Sequence, residues 1–198
     1  MLKYFNNYAL KAGLNGITFA SQHHKFLLDS KSNLNLFDLL IEFEPMYTFR
    51  RLNKETSKLR RFLKSNNKLK IIHNSIAQKY FSSVYSFRFK FPRVISYDAI
   101  WESSINHNPT HPNSVPGAFV DWDNSARRGE QSTIFKGASP EKFKQFMRRK
   151  IIKAKKEYNH DYLFINAWNE WAEGAYLEPD KKNGHGYLQA LKNSIDFL

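Results

Sequence analysis

Apolar residues recur along this chain at two spacings, and the alternation between them predicts a mixed α/β protein. Leu2, Phe5, Ala9 and Ala12 stand three or four apart, the spacing of one helical face, and Gly13 supplies a helix stop. LNGITFA over residues 14–20 then reads as a short buried strand, followed by the polar SQHHKF with His23 and His24. Residues 34–40 are apolar, and IEFEPMYTF over 41–49 reads as the next strand and its loop. Residues 54–70 are basic and helical in character, residues 70–76 suggest another short strand, and VISYDAI over 94–100 suggests a stronger one. Residues 101–116 hold Pro109, Pro112 and Pro116 and predict irregular structure. GAFVDWD over 117–123 reads as a strand that ends in acids.

The next helix has the clearest start. Ser139 can cap, Pro140 gives up an N–H that the first helical position does not need, and Glu141 sits in the first turn. Its apolar stripe is Phe143, Met147, Ile151, Ala154 and Tyr158. Lys142, Lys144, Arg148, Arg149, Lys153, Lys155 and Lys156 form the other face. YLFINAW over 162–168 predicts a buried strand, and a last helix spans 186–197.

Strands alternating with helices predict a parallel sheet with helical crossovers, either open and doubly wound or part of an eight-fold barrel. The chain has 198 residues and no internal repeat or low-complexity linker, so residues 1–198 read as one domain. A full barrel takes ~250 residues, and this chain is short of that.

Composition narrows the classes. The 17 Phe, 10 Tyr and 4 Trp can fill a core, which excludes wholesale disorder. No apolar run approaches the ~18 residues of a membrane span, and the first residues carry no leader-like apolar block. With no Cys there is no disulfide framework and no thiolate chemistry, which fits a cytoplasmic protein. The 31 basic residues against 18 acidic give +13, a field that favours acidic partners. Nucleic acid is not the favoured one: no nucleic-acid motif is present, and the stripe on the 140–158 helix makes its Lys and Arg the solvated face of a packed helix.

The chemistry concentrates in FINAWNEWAEGAYLEPD, residues 164–180. An apolar strand runs directly into Asn166, Trp168, Asn169, Glu170, Trp171, Glu173, Tyr176 and Glu178. In parallel α/β folds the C-terminal ends of strands hold the active site. If the chain curls helically after Glu170, Glu170 and Glu173 share a face with Cβ atoms ~5–6 Å apart. That is the short carboxylate spacing of retaining sugar chemistry. The tryptophans offer flat faces to sugar rings, and the asparagines offer donors and acceptors to hydroxyls. The alternative for the same residues is a solvated loop with core tryptophans. Upstream, Trp122, Asp123, Asn124 and Arg127 form a second polar group. Asp121-Trp122-Asp123 spells DxD, but three letters are too few to claim a metal, and no cofactor is called for. His107 and His111 have the spacing of a helical metal pair, yet Pro109 lies between them and no third ligand is evident. His24 is a weaker cleft candidate, and His185 reads as structural.

NAWNEWAEGAYLEPD followed by GHGYLQAL resembles the C-terminal signature of the WbsX-type glycosyltransferases, the glycoside hydrolase family 99-like proteins. GAFVDWDNSARRG followed by IFKGASPEKFKQF resembles the second signature of that family. The resemblance is carried by the last hundred residues. It implies a (β/α)8 TIM-type barrel acting on sugar chains, of which this chain is the C-terminal half with the N-terminal strands missing. A second polypeptide could supply that half. The resemblance also implies roles. Glu170 falls on the carboxylate that deprotonates the substrate's own 2-hydroxyl, and Glu173 on the general acid/base, with retention through a 1,2-anhydro sugar. The expectation is a carbohydrate-active enzyme, transferring or cleaving glycosides, in bacterial cell-surface polysaccharide or lipopolysaccharide synthesis. A non-catalytic glycan-binding remnant and a basic protein of nucleic acid or membrane surfaces are the alternatives.

Overall fold

The computed structural model describes residues 1–22, 35–54 and 92–196. The expected helix over 54–70 (beyond Lys54), the strand over 70–76, and His23 and His24 lie outside them. The architecture is mixed α/β with parallel strands. Helix α1 (Leu2–Lys11) ends where the sequence puts a stop: Gly13 takes a φ of 82°, its N–H donates to the Leu10 carbonyl, and Leu14 N–H donates to Ala9. Of the predicted stripe only Ala9 is buried. The strand expected over 14–20 forms later and is shorter, β1 (Ala20–Gln22), and Leu14 and Ile17 before it are exposed.

Strand β1 pairs in parallel with β2 (Leu39–Ile41), and β2 with β4 (Ser114–Val115). Pro116 then interrupts the strand, having no N–H to give to a ladder. The chain continues as β5 (Gly117–Phe119), which pairs in parallel with β7 (Phe164–Asn166). The members of the row β1, β2, β4/β5, β7 follow chain order, with a further parallel pair standing outside it. The described residues form no closed barrel. Gly117 lets β2 and β5 approach, since a Cβ there would lie 1.9 Å from the Glu42 carbonyl oxygen.

A separate parallel pair joins β3 (Arg93–Ser96) to β6 (Thr133–Lys136). The strand expected over 94–100 thus stops at Ser96. Ser96 Oγ accepts from Ala99 N–H and caps α3 (Tyr97–Ile105), so the end of the expected strand and the first five residues of the stretch read as irregular are helix. A further helix, α2, covers residues 46–54, part of the segment read as strand and loop. Residues 162–168 also depart from expectation. Only Asn166 of β7 is buried, while Tyr162, Phe164 and Trp168 are exposed.

Helix α5 (Pro140–Lys153) starts as expected, with Ser139 Oγ accepting from Lys142 N–H, and runs on as a π-helical turn, Ala154–Tyr158. Its stripe packs on Trp101, which lies in a sandwich. Phe119 of β5 stacks on one face at 4.6 Å, and Phe146 of α5 on the other at 5.4 Å. Removing such a buried aromatic costs roughly 3–5 kcal/mol. Most of the basic face of α5 is paired within the molecule: Lys142 with Asp98, Lys144 with Glu141, and Arg149 with both oxygens of Glu102. Lys153, expected on that face, is instead buried and paired with Glu157. The last helix is α6 (Gly186–Ile195). Among the described residues no helix is long and apolar enough to cross a membrane.

A polar layer lies between β2 and the helices. Glu42, Glu44 and Lys150 are all at most 1% exposed. Lys150 stands seven residues after Phe143 and three after Met147, so helical geometry puts it on the buried stripe. Its Nζ donates to the carbonyl and Oγ of Ser104, and that Oγ donates to Glu44 Oε1 at 2.7 Å. Thr48 supplies Glu44 with two more donors. Burial pushes the Lys150 ammonium down. Glu42 is worse served: Tyr158 Oη donates to one carboxyl oxygen at 2.6 Å, and the other has no partner among the described residues. Burial pushes its carboxyl up to about 7, against the pull of Lys150.

A pKa raised on folding means that the folded state holds the proton longer, so stability falls as pH rises from 4.5, the unfolded value, to about 7. The span of 7 − 4.5, at 1.36 kcal/mol per unit, corresponds to about 3 kcal/mol. Glu42→Gln should remove that decline. Urea unfolding at pH 5 and pH 8 measures it, and an equal decline in wild type and variant would refute the assignment.

Candidate functional site

The site is built where β5 and β7 end. Val120 N–H still reaches the Asn166 carbonyl at 3.2 Å, and beyond that point the two strands diverge into the two polar blocks. After β7 the chain makes a hairpin of β8 (Asn169–Glu170), a 3₁₀ turn (Trp171–Glu173), Gly174 and β9 (Ala175–Tyr176). Alternation along β9 decides its two faces. Ala175 and Leu177 are buried in the core. Tyr176 and Glu178 point the other way and hold Trp171: the rings stack at 3.8 Å, and Trp171 Nε1 donates to Glu178 Oε2 at 2.6 Å. One face of Trp171 is thereby covered, while 49% of the residue stays exposed. Trp168 is 54% exposed, and its carbonyl accepts from Leu177 and Glu178.

From the other block, Asp123 N–H donates to the Glu173 carbonyl at 2.7 Å. Gly174, at φ 63°, lies against Asp123 so closely that a Cβ would sit 2.9 Å from its backbone nitrogen. Asp123 Oδ1 accepts from Ser125 N–H and starts the short helix α4 (Ser125–Arg128). That helix packs on the 3₁₀ turn and carries Arg127, which forms an ion pair with Glu173. The Glu173 side chain is 17% exposed. The chain curls only after Glu170, which remains extended and exposed, with no side-chain partner among the described residues. The curl directly after Glu170 is the condition the sequence reading set for the pair, and the 3₁₀ turn Trp171–Glu173 meets it.

Three expected contact residues serve the fold instead. Trp122 is 3% exposed and belongs to the core. Asn124 is buried, with its Oδ1 accepting from Thr133 N–H at 2.8 Å. Asn166 is buried, with its Nδ2 donating to the Glu44 carbonyl at 3.0 Å. Asn169, Glu170, Trp171, Glu173, Tyr176, Glu178, Asp123, Arg127 and Trp168 are the ones brought to this end of the row. Asp121 joins them. It enters the sequence reading only as half of a DxD pair, but burial pushes its carboxyl up to about 6, despite a hydrogen bond from Trp122 N–H. Its position just past a buried strand was the available signal. Among the described residues no group of three His, Cys, Asp or Glu could hold a metal. His107 is half-buried beside Tyr47, and burial pushes it down to about 4.

The sequence model of the family described as Glycosyltransferase WbsX matches residues 1–191. The chain belongs to that family. The WbsX match begins at residue 1, so the likeness visible in two late blocks extends over nearly the whole chain. The chain is also similar to a protein from Xanthomonas campestris pv. campestris, described as the uncharacterized protein WxcX. Identity is 40% over 82 residues in strain B100 and the same in strain ATCC 33913. The matched stretch is 40% of this chain and 12% of those proteins, so the chain spans a small part of their length. No solved structure matches.

The contact between the two blocks of this WbsX-family chain depends on a residue without a side chain. Gly174→Ala forces a Cβ into Asp123 and adds about 1–2 kcal/mol of left-handed backbone strain. The expected result is a lower urea midpoint and faster hydrogen exchange at the Asp123 amide. Unchanged protection of that amide would show that the contact does not hold the hairpin.

Proposed function

We propose that the chain is the sugar-handling part of an enzyme that transfers or cleaves glycosides in cell-surface polysaccharide synthesis. Membership of the WbsX glycosyltransferase family supports the substrate class. The observation that carries the reading is the meeting of Asp123 and Arg127 with Glu173, beside exposed Trp168 and Trp171. In this proposal the exposed faces of Trp168 and Trp171 receive sugar rings. Asn169, Tyr176, Glu178 and Asp123 line the same cleft, and Glu173 is the general acid/base. Glu170, extended and exposed, draws the proton from the 2-hydroxyl of the sugar. No nucleophilic side chain is then needed, because that oxygen attacks the anomeric carbon. Strand order along the row supports assignment to part of a (β/α)8 barrel, with residues 1–198 as one domain. The remaining strands would come from a second polypeptide, and the work would be cytoplasmic.

A specific observation favours a second reading. Glu173 is held in an ion pair, and a carboxylate so held is not a proton donor at rest. A glycan-binding protein that keeps the aromatic cleft and does no chemistry would tolerate that.

Carboxylate replacement separates the two. Glu173→Gln should lower turnover by at least ~10²-fold, the scale of a positioned acid/base. Glu170→Gln should be comparably damaging, with glycan binding retained in both variants. A substrate with a good leaving group should partly rescue the first variant and not the second. Near-normal turnover of both on a confirmed substrate would falsify the carboxylate pair, and binding without turnover in the wild type supports the second reading.

A further inference from the structure

Arg127 occupies an odd position for the chemistry just proposed. Its Nη2 is engaged by Glu173 Oε1, and the rest of its guanidinium has no partner among the described residues. The side chain is 52% exposed. A guanidinium carries five N–H donors in a planar fork that suits the two oxygens of a carboxylate or a phosphoryl group. Arg127 therefore presents open donors to solvent while one of its nitrogens is engaged by Glu173. One other acid borders the pair, Asp123, with one oxygen on Ser125 and its N–H on the Glu173 carbonyl; Glu178 of the same segment has one oxygen on Trp171. Arg128 is the neighbouring cation on α4 and is exposed.

Resting on the reading of Glu173 as acid/base, we propose that Arg127 recognises an oxyanion of the substrate, a sugar carboxylate or a phosphoryl group, and by leaving Glu173 for it releases that residue to take up a proton. The argument is one of competition. The Arg127 side chain is half exposed, so a substrate oxyanion offering a bidentate partner can compete with Glu173 for it. Once its counter-charge turns away, Glu173 sits partly shielded from water beside a backbone hydrogen bond that fixes its position. There the neutral acid is favoured. The proton comes from solvent, which reaches the 17% of the side chain that is exposed. Acid catalysis is then armed only when an anionic substrate is in place, and a neutral sugar leaves Glu173 paired.

The test reads protonation directly. The whole chain carries ¹³C in its Glu carboxyl carbons, and the Glu173 signal is assigned by its loss in Glu173→Gln. The signal is titrated alone, with inorganic pyrophosphate, with glucuronate, and with neutral methyl mannoside. Pyrophosphate or glucuronate should raise the Glu173 midpoint by about one pH unit, a tenfold gain in proton affinity, and the mannoside should not. A response to pyrophosphate alone assigns a phosphoryl group, and to glucuronate alone a carboxylated sugar. Arg127→Met should raise the midpoint without any anion and abolish the response, and Arg128→Met should behave as wild type. A midpoint that ignores both anions overturns the proposal on wild-type protein alone, whether or not the variant folds. So does an equal anion response in Arg127→Met. Turnover of Glu173→Gln is a separate readout: an anion-sensitive Glu173 that turnover does not need would leave the exchange standing and remove the catalytic role.

Discussion

One backbone hydrogen bond, from Asp123 N–H to the Glu173 carbonyl, makes the site a site. The residues it joins are fifty apart in the chain and belong to strands whose pairing ends just before the polar blocks begin. Without it, the Trp168–Tyr176 hairpin and the short helix with Arg127 would be two loops on one end of a sheet. A neutral hydrogen bond of this kind contributes only about 1 kcal/mol net. It is sufficient here because the hairpin is held elsewhere too. Ala175 and Leu177 are buried, and Asp123 N–H needs an acceptor that Gly174 allows to come close.

The end of the row is held in place from behind. Trp101 between Phe119 and Phe146 fixes α3 and α5 to β5, and Tyr97 Oη donates to the Val120 carbonyl at 2.8 Å, at the last residue before the site. Beneath β2 the protein accepts a buried Lys150 and two buried glutamates where apolar side chains would do. Replacing such groups by apolar ones is often neutral or stabilising, while removing one partner is costly. The layer therefore fixes which partners meet. Ser104 must face both Lys150 and Glu44, which allows one register of α3 against α5. The Glu44 carbonyl in turn takes up Asn166 Nδ2, tying the polar layer to the end of β7.

The sequence announced most strongly those elements whose signals are local. Ser139-Pro140-Glu141 marks a helix start within three residues, and Gly13 marks an end. The two polar blocks stand out because their side chains follow directly on strands. Burial was harder to read, because it depends on what lies across the chain. Tyr162 and Phe164 look like core residues and are exposed, whereas Glu42, Glu44 and Lys150 look exposed and are buried. Ser96 could have been read as a cap with Asp98 behind it, but the β-branched run before it continued the strand reading too far. Asp123 and Asn124 look like ligands for a substrate. DNS is also an Asx turn, and the turn uses Asp123 Oδ1 while Asn124 bonds across to Thr133. Which asparagines face a cleft and which fasten backbone is settled only by their partners.

The Trp171 ring shows how such a fastening can also prepare a surface. A tryptophan on a three-residue turn has many orientations, and ordering it on binding would cost affinity. Here Tyr176 covers one face at 3.8 Å, and the indole N–H, the ring's only donor, is taken by Glu178. The remaining face is apolar and already oriented, so a sugar ring can stack on it without first displacing a hydrogen bond. Glu178 cannot then serve freely as a proton carrier, since the oxygen facing Trp171 is engaged. Of the three glutamates here, Glu178 orients an aromatic ring, Glu173 is paired with Arg127, and Glu170 is exposed without a side-chain partner among the described residues. The same short segment thus gives each of its carboxylates a different neighbour.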